Sequence, residues 1–473
     1  MHPSTLAKRV YLLIFAIIIV FYFYGLGKLP LLGPDEPRYA QVAREMFLNR
    51  DLITPTLGGH TWFEKPALLY WMIVASFKVF GVSEWSARLG PAICGLLTIV
   101  AVWFVGREVD RGFGFWSLLT ITTCLGLIVF SRAASFDVVI TMTTTWSLAF
   151  FLLHELPSTK NKRLLLAGFY AFVGLSLLAK GLVGIVIPFG VVGFYYLLRR
   201  AWPSWSVWLS LIWGLPLVLL VSAAWYGPVI ARHGWTFIDE FFIQHHFARY
   251  VSNKYHHPQP VYFYPVIILM LALPWAVHLI IALVKARQWQ WRGEDSLSIV
   301  RVFSMAWLLL PIVFFSFSGS KLPGYILPAL PGVALLVADR LTVAQKPRWP
   351  LAIAGATIAL VVVVLNFFAA PYARRESVKD LLALADSRGY ANSSVIAQRG
   401  DDRSAEFYAH GRVIYRADGE VLTFDEISVD DARARGGKFV VFIPVRDVEN
   451  YKGAPQLEVI GDNGHTAVLG WQP

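Results

Sequence analysis

Lys8-Arg9-Val-Tyr-Leu-Leu-Ile-Phe-Ala-Ile-Ile-Ile-Val-Phe-Tyr-Phe-Tyr-Gly-Leu-Gly27 places two cations ahead of an uncharged apolar run. The run is longer than a usual signal-peptide core, and no small-x-small cleavage site precedes Lys28. It reads as an uncleaved first span with its N-terminus in the cytoplasm. Further runs able to cross about 30 Å of hydrocarbon lie at 89–106, 113–130, 138–153, 164–179, 181–198, 207–224, 261–284, 300–317, 323–338 and 350–370. The composition agrees: of 473 residues 56% are hydrophobic and only 15% charged, against about 25% charged in ordinary soluble domains. Mean hydropathy is +0.55. Soluble, disordered and collagen-like classes are excluded, and the expected fold is mainly α, a polytopic membrane helical bundle.

The net charge of +11 is uneven. Residues 1–371 carry 29 Lys+Arg and 15 Asp+Glu, whereas residues 372–473 carry 13 and 16. The cations sit in short loops between apolar runs, which sets membrane orientation and gives no reason to invoke nucleic acid. Lys8/Arg9, Arg107/Arg111, Lys160/Lys162/Arg163, Arg199/Arg200, Lys285/Arg287/Arg292 and Arg340/Lys346/Arg348 occupy alternate loops if 89–106 follows the first span directly. Pro66 to Phe80 then lies at the interface as a helix. The expectation is about 11–13 spans, eleven by this parity, with the C-terminus outside. Nine of the fifteen acids before residue 372 fall on the outer side, chiefly in the loops 28–88 and 225–260. Cys94 and Cys124 lie within apolar runs, so no disulfide framework is expected.

The sequence divides into a membrane domain, 1–371, and a small extracytoplasmic α/β domain, 372–473. In the latter Ser377–Arg388 and Asp402–Ala409 read as helices. Val395–Gln398, Val413–Arg416, Phe439–Val445, Leu457–Ile460 and Thr466–Trp471 read as strands. This domain has the look of a lid or docking module.

Gly33-Pro-Asp-Glu-Pro-Arg-Tyr-Ala-Gln-Val-Ala-Arg-Glu-Met46 is the most informative outer-loop stretch. Pro37 suits a first helical turn, and Asp35-Glu36 suit its positive end. The plain reading is an interfacial helix whose Arg38 and Glu45 meet solvent. The chemical one is an acid pair that orients a hydroxyl, holds a cation or takes a proton. Glu64-Lys65-Pro66 offers an interface anchor, or a phosphate grip with a metal or sugar ligand. Asp137, in Ser131-Arg-Ala-Ala-Ser-Phe-Asp137, is a helix cap or a site acid. His246 and Arg249 are three apart, on one helix face. Lys321 and Tyr325 flank Pro323 in a turn that either anchors the interface or holds a lipid phosphate. Lys180 is a snorkelling anchor or a site residue.

Together these motifs resemble the GT-C superfamily of integral-membrane glycosyltransferases, and within it the bacterial lipid A aminoarabinose transferases and the protein mannosyltransferases. The resemblance rests on Asp35-Glu-x-Arg-Tyr-Ala with Arg44-Glu-Met, Glu64-Lys-Pro, Ser131-Arg-Ala…Asp137, Leu178-Ala-Lys-Gly181, His246-x-x-Arg249 and Lys321-Leu-Pro-x-Tyr-Ile-Leu-Pro328. It implies a catalytic Asp35 with Asp137 as a second acid, and Lys65, Arg249, Tyr325 and Lys321 on the phosphate of the carrier lipid. Glu64 and His246 match a divalent-metal pair, zinc or similar. Glu36, Arg38 and Lys180 are further candidates. The implied partners are a polyprenyl-phosphate sugar donor and a lipid acceptor, lipid A foremost, at the periplasmic face of a bacterial inner membrane. A protein O-mannosyltransferase-like activity and a carrier-lipid flippase are the alternatives. Transporters concentrate ionisable residues near the membrane midplane, whereas here they cluster at outer span ends.

Overall fold

The structure is a computed structural model that describes residues 3–248, 259–344, 348–396, 403–423, 437–451 and 456–472. In chain order the helices are α1 (Pro3–Phe23), α2 (Glu36–Asn49), α3 (Leu68–Phe80), α4 (Glu84–Val109), α5 (Arg111–Thr123), α6 (Leu125–Phe130), α7 (Phe136–Glu155), α8 (Lys162–Lys180), α9 (Val183–Arg199) and α10 (Trp205–Ile238). They continue as α11 (Phe263–Leu271), α12 (Ala276–Lys285), α13 (Ser296–Ser316), α14 (Leu330–Ala344) and α15 (Arg348–Val363). All eleven apolar runs expected from the sequence are helical. Among the described residues seven helices are by themselves long and apolar enough to cross a membrane, and the bent pair α11–α12 makes an eighth if it is one span. The remaining runs fall to α1, α9 and the α5–α6 pair. The 13 residues of α3 are too few for a crossing.

Contacts divide the chain into two compact units. The first comprises residues 1–24, 63–69 and 90–360; the second comprises 25–62, 70–89 and 361–473. In the first, helix starts are set by local chemistry. Asp110 accepts from the backbone N–H groups of Gly112 (2.6 Å) and Phe113 (2.9 Å) to begin α5, and Asp295 accepts from Ser298 N at 3.0 Å to begin α13. Small residues let helices approach: a Cβ on Gly332 of α14 would lie 2.8 Å from the Ser304 carbonyl of α13. The same two helices share an Arg301–Asp339 ion pair of 2.8 Å. Threonines 141, 143, 144 and 145 of α7 return their hydroxyls to carbonyls one turn back, so their polarity is hidden within the helix. Leu219 and Leu220 of α10 are exposed, as an apolar face turned to lipid requires.

The second unit joins α2, α3 and the hairpin β1 (Thr56–Leu57)–β2 (His60–Thr61) to α16 (Ala370–Glu376), α17 (Lys379–Ala385), α18 (Ser404–Tyr408) and a four-stranded sheet. The sheet runs β3 (Ser394–Ile396), β4 (Phe439–Pro444), β6 (Thr466–Trp471), β5 (Leu457–Asp462), with β3 parallel to β4 and the other pairs antiparallel. Its core is Ile396, Val441, Ile443 and Leu469, closed by Phe439 stacked on Trp471 at 5.2 Å. The strands and helices expected after residue 372 are largely present. The exception is Val413–Arg416, which makes only single bridges, to Val395 and Val421. Gln398 and Asp402 lie outside the described residues.

Candidate active site

Two groups of candidate residues are assembled, one in each unit. In the second unit Asp35 caps α2 without a side-chain cap bond, and Pro37 occupies the first turn. The two adjacent acids have opposite surroundings. Glu36 is buried, and Arg88 takes both its oxygens, Nε to Oε1 and Nη2 to Oε2, at 2.7 Å each. Arg88 spends its other N–H groups on the carbonyls of Leu26 (2.7 Å), Leu29 (2.7 Å) and Pro30 (2.9 Å). All five guanidinium donors are thereby used, and the chain entering α2 is tied down along its length. The Asp35 side chain is 51% exposed and accepts from Arg38 Nη2 at 2.6 Å. Arg38 in turn lies over the Trp62 ring at 5.0 Å. Asp35 is thus a water-accessible carboxylate on a fixed frame, and Glu36 is the fixture.

The C-terminal segment strengthens that frame. Leu31 N donates to the Tyr408 hydroxyl (2.7 Å), which donates to Glu84 (3.0 Å), and Lys379 pairs with the same carboxylate. Arg44 donates to the Phe407 carbonyl at 3.2 Å. The sequence expectation was a lid or docking module; these bonds join the segment to the unit that carries Asp35. Arg38 and Glu45 likewise do not simply meet solvent. Arg38 is mostly buried, and Glu45 binds the β1–β2 turn through Gly58 N at 2.8 Å.

In the first unit the cap of α7 is Ser135, whose hydroxyl accepts from Asp137 N at 3.1 Å. That leaves the Asp137 carboxylate for Lys180, the last residue of α8, with which it forms an ion pair. Lys180 Nζ also lies 4.7 Å from the centre of the Tyr325 ring, which leans on Phe315 at 5.2 Å. Tyr325 stands in a 3-10 turn, Pro323–Ala329, that brings Gly324 against the carboxylate: a Cβ on Gly324 would collide with Asp137 Oδ2. Acid, ammonium and phenol therefore converge from three separated stretches of sequence. Lys321 is buried and donates to the Ser318 carbonyl at 2.8 Å, so it fixes this turn.

Glu64 is buried, Lys65 is partly buried, and the two pair with each other at 2.5 Å. The preceding Phe63 packs edge-on against His233 (5.0 Å) and Phe237 (5.2 Å) of α10. The segment continuing from α10, Asp239–Ala248, winds as a π-helix and not as the α-helix expected from the His246–Arg249 spacing. The His246 side chain and Arg249 lie outside the described residues. Among the described residues no three His, Cys, Asp or Glu side chains converge as on a metal ion.

Sequence reading missed Arg88 and left Lys180 undecided. The available signal was the same for both: a cation at the very end of an apolar run.

A family model described as dolichyl-phosphate-mannose-protein mannosyltransferase matches residues 9–238. The chain is 32% identical over 329 residues to an undecaprenyl phosphate-alpha-4-amino-4-deoxy-L-arabinose arabinosyl transferase of Pseudomonas aeruginosa, covering 68% of this chain and 58% of the relative. A transferase of the same description from Shewanella sediminis is 29% identical over 351 residues, 70% of this chain and 59% of the relative. The chain thus spans somewhat under two thirds of these curated relatives. Among solved structures, ArnT from Cupriavidus metallidurans bound to undecaprenyl phosphate has a TM-score of 0.78 at 23% identity, covering 97% of this chain and 98% of that one. The archaeal oligosaccharyltransferase AglB from Archaeoglobus fulgidus follows with a TM-score of 0.55 at 13% identity, covering 93% and 70%. These two likenesses concern the fold.

Proposed function

The chain belongs to the GT-C superfamily of integral-membrane glycosyltransferases, and from that premise we propose that it moves one sugar from an undecaprenyl-phosphate donor to lipid A at the periplasmic face. The observation that carries this reading is the division of labour at α2, where Asp35 is exposed on a frame held by Glu36 and Arg88. An acid needed only for folding would have no reason to stand outside that frame.

In the reaction the bond from the anomeric carbon to the carrier phosphate breaks and the acceptor oxygen takes its place. Negative charge grows on the departing phosphate oxygen. Lys65, Arg249 and Tyr325 are the groups proposed to meet it, with Lys321 holding the turn from which Tyr325 projects. Stabilisation counts for rate only where it is stronger in the transition state than with bound substrate. A charge-assisted hydrogen bond contributes about 1.5–3 kcal/mol, roughly ten- to a hundredfold in rate. Asp137 holds Lys180 beside Tyr325, so it would act on the phosphate side by fixing that ammonium. Asp35 would act on the acceptor. A lipid A phosphate is already an anion and needs orienting; a serine or sugar hydroxyl would need Asp35 as general base. A divalent cation on Glu64 and His246 belongs to the same proposal, with metal analysis of wild type and Glu64→Ala as its test.

The match to the mannosyltransferase family model supports a second reading, a protein hydroxyl as acceptor. Both are tested with purified protein in nanodiscs, labelled undecaprenyl-phosphate sugars including aminoarabinose, and lipid A or protein as acceptor. Label on lipid A that Asp35→Asn abolishes supports the main reading. Label on protein selects the second, and full transfer by Asp35→Asn refutes the role of Asp35 in either.

A further inference from the structure

The second unit contains a cavity of about 390 Å³ along the C-terminal half of α2 that the chemistry above does not use. Its size is that of small-molecule sites. Gln41 and Arg44 of α2, His60 of the β1–β2 hairpin, and Glu406, His410 and Tyr415 line it.

The walls are built before any ligand arrives. Both oxygens of Glu45 are committed: Oε1 to Gln41 Nε2 (3.1 Å) and Gly58 N (2.8 Å), Oε2 to Thr56 Oγ1 (2.8 Å) and Gly59 N (3.3 Å). The hairpin is thereby fastened to α2. The Tyr415 ring lies so close to Gly58, at φ +61°, that a Cβ there would collide with it. Glu406 Oε1 accepts from Arg403 Nη2 at 2.6 Å.

Acceptor capacity is left over in this wall. Gln41 Oε1 is buried without a hydrogen-bond partner, and Glu406 Oε2 is buried with the Tyr415 hydroxyl as its neighbouring donor. Gln41 is 4% and Glu406 2% exposed. Buried acceptors are seldom left so, and a ligand that satisfies them brings N–H or O–H donors. Arg44 and the two imidazoles offer donors in return. Burial and the nearby Arg44 and Arg412 guanidinium groups push the His410 pKa down, so at neutral pH its ring is uncharged and can both give and accept. Mixed donors and acceptors around an aromatic ring suit a ligand with alternating hydroxyl donors and acceptors, not a bare anion or an alkyl chain.

We propose that this cavity binds a pyranose unit, and that the unit is a sugar of the acceptor glycan beyond the one that receives the transfer. The second clause rests on the glycosyltransferase reading. Gln41 to Asn49 follow Asp35 by about 9–21 Å at 1.5 Å per residue of helix, the reach of a short run of linked sugars.

The test uses the full chain in nanodiscs, without donor. Saturation-transfer NMR is recorded with glucosamine, galactose, mannose and a glucosamine disaccharide, on wild type and on the double variant Arg44→Gln/His410→Asn. Both replacements preserve polarity, and asparagine tolerates the φ of +55° at position 410. Ring-proton signals in wild type, with affinity about tenfold or more weaker in the variant at an unchanged melting temperature, support the site. Equal signals in both proteins, or no signal from any sugar, overturn it. A lower melting temperature in the variant moves the comparison to His410→Asn alone, read against the same two outcomes. Transfer kinetics test the second clause: His410→Asn, outside the frame of Asp35, raises KM for the acceptor and leaves kcat, and an unchanged KM overturns the acceptor role. Binding that persists in a protein without transferase activity would refute the proposed function and leave the cavity as a sugar site.

Discussion

Replacing Arg88 with methionine keeps much of its length and removes every donor. The Glu36 carboxylate then remains buried without its guanidinium, Leu32 N still donating to it at 3.3 Å, and the Leu26, Leu29 and Pro30 carbonyls lose the Arg88 donors. Breaking a buried ion pair from one side costs about 3–5 kcal/mol, mostly because the surviving charge has nowhere to go. The variant is therefore expected to be less stable by that amount. Adding Glu36→Gln removes the stranded charge, so the double variant should recover about 1–3 kcal/mol of the loss. The assay is denaturant unfolding in detergent of wild type, both single variants and the double variant, with transfer activity measured below every transition. Activity should fall in Arg88→Met even where the protein is folded, because the segment that leads into Asp35 has lost its anchor. A single variant as stable as wild type would refute the reasoning. So would single losses that simply add in the double variant.

Asp35→Asn, whose amide oxygen can still accept from Arg38, should change the melting temperature little and reduce transfer by about 10²–10⁴-fold, the span typical of a lost acid or base. Gly324→Ala should depress activity through displacement of Asp137, and Lys180→Met should do the same by removing its partner; carrier-lipid affinity measured with undecaprenyl phosphate reads both. Burial raises the Glu406 pKa despite Arg403. The folded state therefore holds this proton more tightly than the unfolded one, and stability should decline as pH rises from about 4.3, the ordinary carboxylate value, through the folded one. Melting curves against pH should show that decline lessened in Glu406→Gln. Gly58→Ala combines the φ of +61° with a collision against Tyr415, so it should cost about 1–3 kcal/mol, strain at a left-handed position being of that order.

The membrane helices were legible because each is a local pattern: length and apolarity suffice, and the eleven runs became helices. The last three strands were legible for the same reason. Val413–Arg416 has a strand-like composition, but its partners are single residues far along the chain, and no local signal counts partners. The site was half visible. Asp35 could be found from its proline and its place in an outer loop, whereas its difference from Glu36 depended on Arg88, 52 residues away. Taking the apolar run to begin at residue 89 set that arginine just outside the span, where a cation draws no notice. Asp137 and Lys180 are 43 residues apart, and each alone passes for a helix-end residue.

The second unit draws on residues 25–62, 70–89 and 361–473, and this gives its assembly a timetable. At 5–20 residues per second, roughly 14–54 s separate the synthesis of Leu89 from that of Val361. Through that interval the segment bearing Asp35 relies on bonds made nearby in the chain, among them Arg88 on Glu36 and Glu45 on the hairpin turn. The bonds to Phe407, Tyr408 and Lys379 come last. A nascent chain arrested between those points would hold the Asp35 motif already shaped and still without its buttress, and protease sensitivity of residues 25–62 should drop only after the final hundred residues emerge.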